Sequence, residues 1–115
     1  MDRSGRSVSG KASYYASSFD GKKMANGERL DAHKDVAASK TLPLGTTAKV
    51  INRETGKSAT VKITDRGPHV DGRVIDVSPA VANQLDMKKK GVVRVEVKPI
   101  TVPQSDGTVK TVAAQ

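Results

Sequence analysis

Apolar residues alternate with polar ones through most of the chain, which predicts strands. Between Thr47 and Asn52, Ala48 and Val50 share one face, and from Ser58 to Thr64 the residues Ala59, Val61 and Ile63 alternate with Thr60, Lys62 and Thr64. Arg53-Glu54-Thr55-Gly56-Lys57 lies between these runs as the turn of a hairpin. Val74-Ile75-Asp76-Val77 is an almost unbroken apolar run, the composition of a central or barrel-interior strand, and Val92 to Val97 forms the last strong strand. Ala12-Ser13-Tyr14-Tyr15-Ala16 has strand composition, and Val36-Ala37-Ala38 fits a short strand or a helical turn. One helix is expected. Ser78-Pro79 reads as an N-cap followed by proline at the first helical position, and Val81, Ala82 and Leu85 follow at helical spacing up to Met87.

Turn chemistry separates these elements: Asp20-Gly21, Asn26-Gly27, and Leu42-Pro43-Leu44-Gly45. Residues 1–10, rich in Gly and Ser, read as a flexible linker or tail, residues 11–100 as one domain, and residues 101–115 as a C-terminal extension. Several short, non-adjacent strands with one helix indicate an all-β fold, a small barrel whose closure removes exposed strand edges. At 115 residues the chain suits a single domain with one core.

The formal charge of +8 favours an anionic partner, but the basic residues are scattered along the sequence, and Lys88-Lys89-Lys90 reads as a solvated helix end. With only Tyr14, Tyr15 and Phe19 as aromatics, all near the N-terminus, nucleic acid is not the expected partner. There is no cysteine, so a disulfide framework and a thiolate metal site are excluded. No apolar run is long enough to cross a bilayer. His33 and His69 each have aspartates two residues away but no third ligand at motif spacing, so no metal and no cofactor are expected. The serines lack the Gly-x-Ser-x-Gly elbow of a serine hydrolase.

Chemistry concentrates between Asp65 and Asp76. In Val61-Lys62-Ile63-Thr64-Asp65-Arg66-Gly67-Pro68 a strand stops at a turn that displays one carboxylate, the setting of a catalytic acid; the same geometry also suits an aspartate that only caps a turn. Asp76 interrupts an apolar run, and a buried carboxylate must be hydrogen-bonded or paired, so a structural network with Arg66 or Arg73 is expected. Tyr14 and Tyr15 face opposite sides of a strand, one towards the core and the other free to meet a ligand.

Five stretches in register, Gly10-Lys11-Ala12-Ser13-Tyr14-Tyr15, Ala25-Asn26-Gly27-Glu28, Ala37-Ala38-Ser39-Lys40-Thr41-Leu42-Pro43-Leu44-Gly45-Thr46, Thr64-Asp65-Arg66-Gly67-Pro68 and Asp71-Gly72-Arg73-Val74-Ile75-Asp76-Val77-Ser78, resemble the rare lipoprotein A family. The resemblance implies a six-stranded double-psi β-barrel with one or two short helices, related to expansins and barwin-like domains. It further implies a lytic transglycosylase that acts on peptidoglycan glycan strands stripped of stem peptides. The enzymes of this family are periplasmic, often outer-membrane lipoproteins of the septal ring. For this chain that implies an export segment, and a possible lipid anchor, upstream of Met1. A monomer is expected.

By the resemblance, Asp65 and Glu28 are the catalytic pair. Asn26, Ser39, Arg66 and His69 join Tyr14 and Tyr15 as candidates for substrate contact. Two positions depart from the pattern: Met24 replaces a threonine, and Ser39 stands where the enzymatic members carry histidine. The second departure keeps a rival in view, a barrel that binds or loosens glycan without cleaving it. A structural or protein-interaction domain is a third.

A lytic transglycosylase needs fewer carboxylates than a hydrolase. The C6 hydroxyl of muramic acid attacks its own anomeric carbon to close a 1,6-anhydro ring, so one group can serve first as acid and then as base. Apolar walls or a neighbouring carboxylate such as Glu28 would help such a group hold its proton, and an inward-pointing Arg66 would oppose it.

Overall fold

The computed structural model describes residues 1–112. Seven strands and one short helix follow one another as β1 (Val8–Tyr14), β2 (Val36–Ala38), β3 (Thr47–Asn52), β4 (Ser58–Asp65), β5 (Arg73–Val77), α1 (Pro79–Gln84), β6 (Val93–Pro103) and β7 (Val109–Thr111), with a single 3-10 turn at Ser17–Phe19. The sheet runs β1-β5-β2-β4-β3-β6, and a further β1–β6 pairing closes it into a six-stranded barrel, with β7 added outside β6. Two parallel pairs, β1 with β5 and β2 with β4, are set among antiparallel neighbours. This is the all-β double-psi barrel that the sequence motifs imply.

Alternation in the sequence becomes inside and outside in the barrel. Ala48, Val50, Val61, Ile63, Ile75, Val77, Val95 and Val97 fill the interior, and Val81 and Ala82 of α1, with its C-cap Leu85, join the same core. The helix starts as its sequence demands: Pro79 is the first helical residue and the Ser78 hydroxyl accepts from the Val81 amide at 3.3 Å. It is shorter than its apolar spacing predicts, because Asp86 takes φ 55° and turns the chain before Met87.

The ends of the barrel differ from expectation. β1 begins at Val8, inside the span read as a linker, and pairs with β6 from Val8↔Val97 to Ala12↔Val93. Further upstream, the Asp2 amide donates to the Thr41 carbonyl and Arg3 Nη1 to the Pro103 carbonyl, so these residues are tied to the barrel too. Barrel closure supplies these pairings, and closure is a tertiary event that local composition does not encode. β6 continues past the expected end at Val97 and through Pro99, which faces Ala48 beside a register shift in β3, a place where a strand tolerates proline. Val102, in the span read as an extension, is fully buried.

Gly10 lets β1 approach β5 closely. A Cβ there would lie 2.5 Å from a methyl of Val74 and 3.3 Å from the Gly72 carbonyl, so no larger residue fits without a shift.

Candidate active site

β4 ends at Asp65, and the chain must then leave the barrel. Gly67 makes the exit with φ 129°, a conformation that favours glycine, and Pro68 follows. Opposite this exit, the long connection from β1 to β2 folds back over the barrel wall. It is held by a small apolar cluster of Met24, Leu30 and Val36 packed against Tyr15, and by the Asn26 amide donating to the Thr64 carbonyl at 3.1 Å. Between the exit and the connection lies an open cavity of about 540 Å³. Its polar lining includes Asp65, Asp76, Arg73 and His69, and its apolar lining Tyr14, Tyr15, Phe19 and Val70.

Asp65 is oriented by three donors. Oδ1 accepts from the Ala25 amide at 2.8 Å and from the Arg66 amide at 2.9 Å, while Oδ2 accepts from the Tyr15 hydroxyl at 2.7 Å. An ionised carboxylate offers about four acceptor positions, two per oxygen. Oδ1 is therefore filled by backbone amides, and Oδ2 keeps one position for an incoming group. Burial pushes the Tyr15 phenol well above the ordinary tyrosine range, and the Asp65 hydrogen bond and charge push it further, so Tyr15 stays protonated and keeps donating.

The remaining candidates separate into those that share this cavity and those that do not. Tyr14 and Tyr15 both line it, with neither hydroxyl free: the Tyr14 hydroxyl donates to the Lys88 carbonyl at 2.9 Å and the Tyr15 hydroxyl to Asp65, while the Tyr15 ring meets Phe19 edge-on at 6.0 Å. His69 lines the cavity and is exposed. Asp76 sits on the outer, cavity side of β5, while Ile75 and Val77 point inward. It accepts from the Ser13 hydroxyl, to which Arg73 Nη1 donates at 3.4 Å, so the network with Arg73 runs through Ser13 and faces the cavity instead of the barrel interior.

Arg66 also lines the cavity, but its guanidinium is tied elsewhere, donating from Nη1 to the carbonyls of Ser39 and Leu42 at 2.9 and 2.7 Å. Its charge is thus spent on the β2–β3 turn and not on Asp65. Ser39 is 2% exposed, and its hydroxyl accepts from the Thr41 and Leu42 amides. It does not line the cavity. Glu28 and Asn26 are exposed and also outside the lining: Asn26 Nδ2 donates to Glu28 Oε1 at 2.6 Å, and the Glu28 amide donates to Asn26 Oδ1 at 2.9 Å. This two-way clamp stiffens the loop that delivers the Ala25 amide to Asp65.

Sequence reasoning missed the apolar and basic rim. Phe19 and Val70 are 50% and 49% exposed at the cavity mouth, and Lys22 and Lys23 stand beside them. Two exposed apolar side chains flanking an acid make a surface on which the apolar face of a ligand can rest. Neither lies in a periodic segment, and their only signal in the sequence is the scarcity of large apolar residues in that region.

A family profile described as "Lytic transglycolase" matches residues 7–97. The "Probable endolytic peptidoglycan transglycosylase RlpA" of Treponema pallidum is 49% identical over 88 residues, covering 76% of this chain and 28% of that protein. The "Endolytic peptidoglycan transglycosylase RlpA" of Vibrio cholerae is 44% identical over 98 residues, covering 85% of this chain and 37% of that one. The chain thus spans little more than a third of these relatives at most. Among solved structures, a Streptomyces papain inhibitor superposes with a TM-score of 0.66 at 28% identity, covering 82% of this chain and 94% of that one. A Clavibacter michiganensis expansin superposes with a TM-score of 0.65 at 17% identity, over 87% and 53% of the two chains, which shows a shared fold.

Proposed function

The chain belongs to the lytic transglycolase family of double-psi barrels, that of rare lipoprotein A, and from this premise we propose that it is an endolytic peptidoglycan transglycosylase with Asp65 as its acid/base. The observation that carries the reading is a single carboxylate whose Oδ1 is saturated and whose Oδ2 keeps one acceptor position beside an open cavity. In the reaction Asp65 gives its proton to the glycosidic oxygen as the bond from C1 breaks. The C6 hydroxyl of the same muramic acid then forms the new bond to C1 and returns its proton to Asp65, so the group ends as it began. No water enters, and one carboxyl group suffices.

Tyr15 acts as a positioning residue, holding Asp65 through Oδ2. Glu28 assists at one remove, through the clamp with Asn26 that fixes the Ala25 amide. Phe19 and Val70 carry a sugar face, with His69 at the same rim. The finer reading is a monomer of the cell envelope, in the periplasm or at the outer membrane, that acts on strands without stem peptides. Incubation with such strands should yield anhydromuramic ends detectable by mass spectrometry. Asp65→Asn should lower their rate at least about a hundredfold, the scale of a lost general acid, with the far-ultraviolet circular dichroism unchanged. Wild-type protein that yields no anhydro ends, or an active Asp65→Asn variant, defeats the catalytic reading.

A second reading has its own observation. Glu28 lies outside the cavity lining and Ser39 is locked into its own turn, so Asp65 has no second side-chain acid or imidazole from those positions. On that reading the barrel binds glycan without cleaving it. Retention on purified sacculi without anhydro products is its signature.

A further inference from the structure

The basic residues, scattered in sequence, are brought into line by the strand register. On β1 Lys11 lies opposite Arg73 of β5 on one side and Arg94 of β6 on the other, and the Arg53 amide donates to the Arg94 carbonyl at 2.9 Å. Ala12, Val93 and Val95 point into the barrel, so Lys11 and Arg94 point out. The row from Arg73 to Arg94 crosses two strand spacings, about 10 Å. Like charges placed directly opposite on neighbouring strands repel and weaken the sheet.

Acids on this face relieve the repulsion only in part: Glu54 lines a groove with Lys11 and Arg94, and its carboxyl is held below the usual range chiefly by the Lys90 hydrogen bond, with the charge of Arg94 contributing. Glu54 is engaged by Lys90 and by the Arg94 amide, and Glu96 lies 3.9 Å from Lys98. Arg73 reaches Asp76 through Ser13, whereas among the described residues Lys11, Arg53 and Arg94 make no salt bridge. Lys11, Arg53 and Arg94 line a second cavity of about 430 Å³ with Gly10 and Gly72, and a Cβ on Gly72 would meet nothing within 4 Å, so that side of the cavity is open. That cavity adjoins the first one along the chain, since Gly72 lines the second and Arg73 the first.

We propose that Lys11, Arg53 and Arg94 form a carboxylate subsite that holds the free lactyl group of a muramic acid away from the bond being cleaved. The inference rests on the transglycosylase reading for its choice of ligand. Each muramic acid of a peptide-free strand carries one lactyl carboxylate, and a stem peptide converts that carboxylate into an amide. A strand running from the Asp65 cavity along the outer face of β1 would bring the next such carboxylate over the cationic row. The subsite would then favour strands that have lost their peptides, by charge rather than by size.

The test measures binding, apart from cleavage. Peptide-free strands, and the same strands with their lactyl groups converted to neutral methylamides, are titrated against the Asp65→Asn protein so that cleavage does not interfere. We expect the carboxylate strands to bind about tenfold tighter at low salt, as two or three partly exposed charge-assisted contacts would give, and the advantage to shrink as salt rises. Lys11→Gln/Arg94→Gln should remove most of the advantage, and Lys57→Gln/Lys98→Gln, which removes equal charge elsewhere, should keep it.

Equal binding of both strands, a preference that survives Lys11→Gln/Arg94→Gln, or competition by inorganic polyphosphate as effective as that by the glycan would each overturn the subsite. The comparison of the two strands needs no variant in the cationic row, so a misfolded double variant does not protect the idea. With wild-type protein the two proposals fail separately. A carboxylate preference without anhydro ends sinks catalysis alone, and anhydro ends without the preference sink this subsite alone.

Discussion

The barrel and the connection that folds over it are built on different principles. Every barrel strand is paired on both sides, and the apolar residues of six strands and α1 merge into one core. The connection between β1 and β2 has one 3-10 turn, an isolated bridge between Lys23 and Arg29, and a small apolar cluster of its own. Yet that thin layer supplies the Ala25 amide to Asp65 and the Phe19, Lys22 and Lys23 side of the cavity. Rigidity comes from the barrel and shape from the connection. The two should therefore answer to mutation in different currencies, stability in the first and activity in the second.

The largest effect expected is in the barrel. Leu85 is fully buried, belongs to the main core and does not line the Asp65 cavity. Leu85→Ala should cost about 2–5 kcal/mol of global stability, the usual range for a truncated core leucine. Denaturant melts would measure it, and anhydro-product formation per folded molecule should stay unchanged. Loss of specific activity in parallel with stability would mean that the site is not insulated from the core.

Much of the barrel was legible because its strands carry the inside-outside code in consecutive residues. The hairpin of β3 and β4, the run at β5, the N-cap of α1 and the start of β6 all follow from local alternation and from Ser78-Pro79. The opening of β1 did not, because Val8, Ser9 and Gly10 belong to a stretch that looks like a polar tail until β6 pairs with them. β7 was hidden as well, since all three of its residues are exposed and its pairing with Thr101–Pro103 is its reason to be extended. At the site, Asp65 was legible from a strand that ends in Gly-Pro. The cavity's other wall was not, because residues between Tyr15 and Asp35 hold no repeating pattern and are placed by tertiary contacts. The cationic row was equally invisible: Lys11, Arg73 and Arg94 are far apart in sequence and meet only through register.

A middle-sized effect should come from the connection. Met24 is buried in the small cluster, and its sulfur accepts from the Thr64 hydroxyl at 3.2 Å, immediately before Ala25 and Asn26 dock on β4. Met24→Ala should loosen that docking locally, by about 2 kcal/mol, the low end for a truncated buried methionine, and lower global stability by less than Leu85→Ala does. Hydrogen exchange at the Ala25 and Asn26 amides should quicken while amides in β3 and β6 keep their protection, and activity should fall more than tenfold as Asp65 loses one of its fixed donors. Uniform acceleration across both regions would show that barrel and connection unfold as one unit, and the contrast drawn between them would collapse.

The smallest effect is a pH dependence carried by one phenol at the seam. Tyr15 ends the path of β1, packs in the connection's cluster and donates to Asp65, so it belongs to both regions. Its pKa is raised in the folded protein, first by burial and then by the Asp65 hydrogen bond and charge. The unfolded chain, with a tyrosine pKa of about 10, then binds fewer protons than the folded one above that pH. Stability from this group is fully present below about pH 10 and is lost as pH rises from there towards the folded value, because deprotonation favours the unfolded chain. In a Tyr14→Phe background, tyrosinate absorbance should therefore rise together with loss of the folded circular dichroism signal. Asp65→Asn removes the carboxylate's charge and should let Tyr15 ionise at lower pH, drawing the tyrosinate signal ahead of unfolding. If the phenol ionises at the same pH with and without the carboxylate, Tyr15 does not sense Asp65, and the oxygen assigned to proton transfer has lost the partner that fixes it.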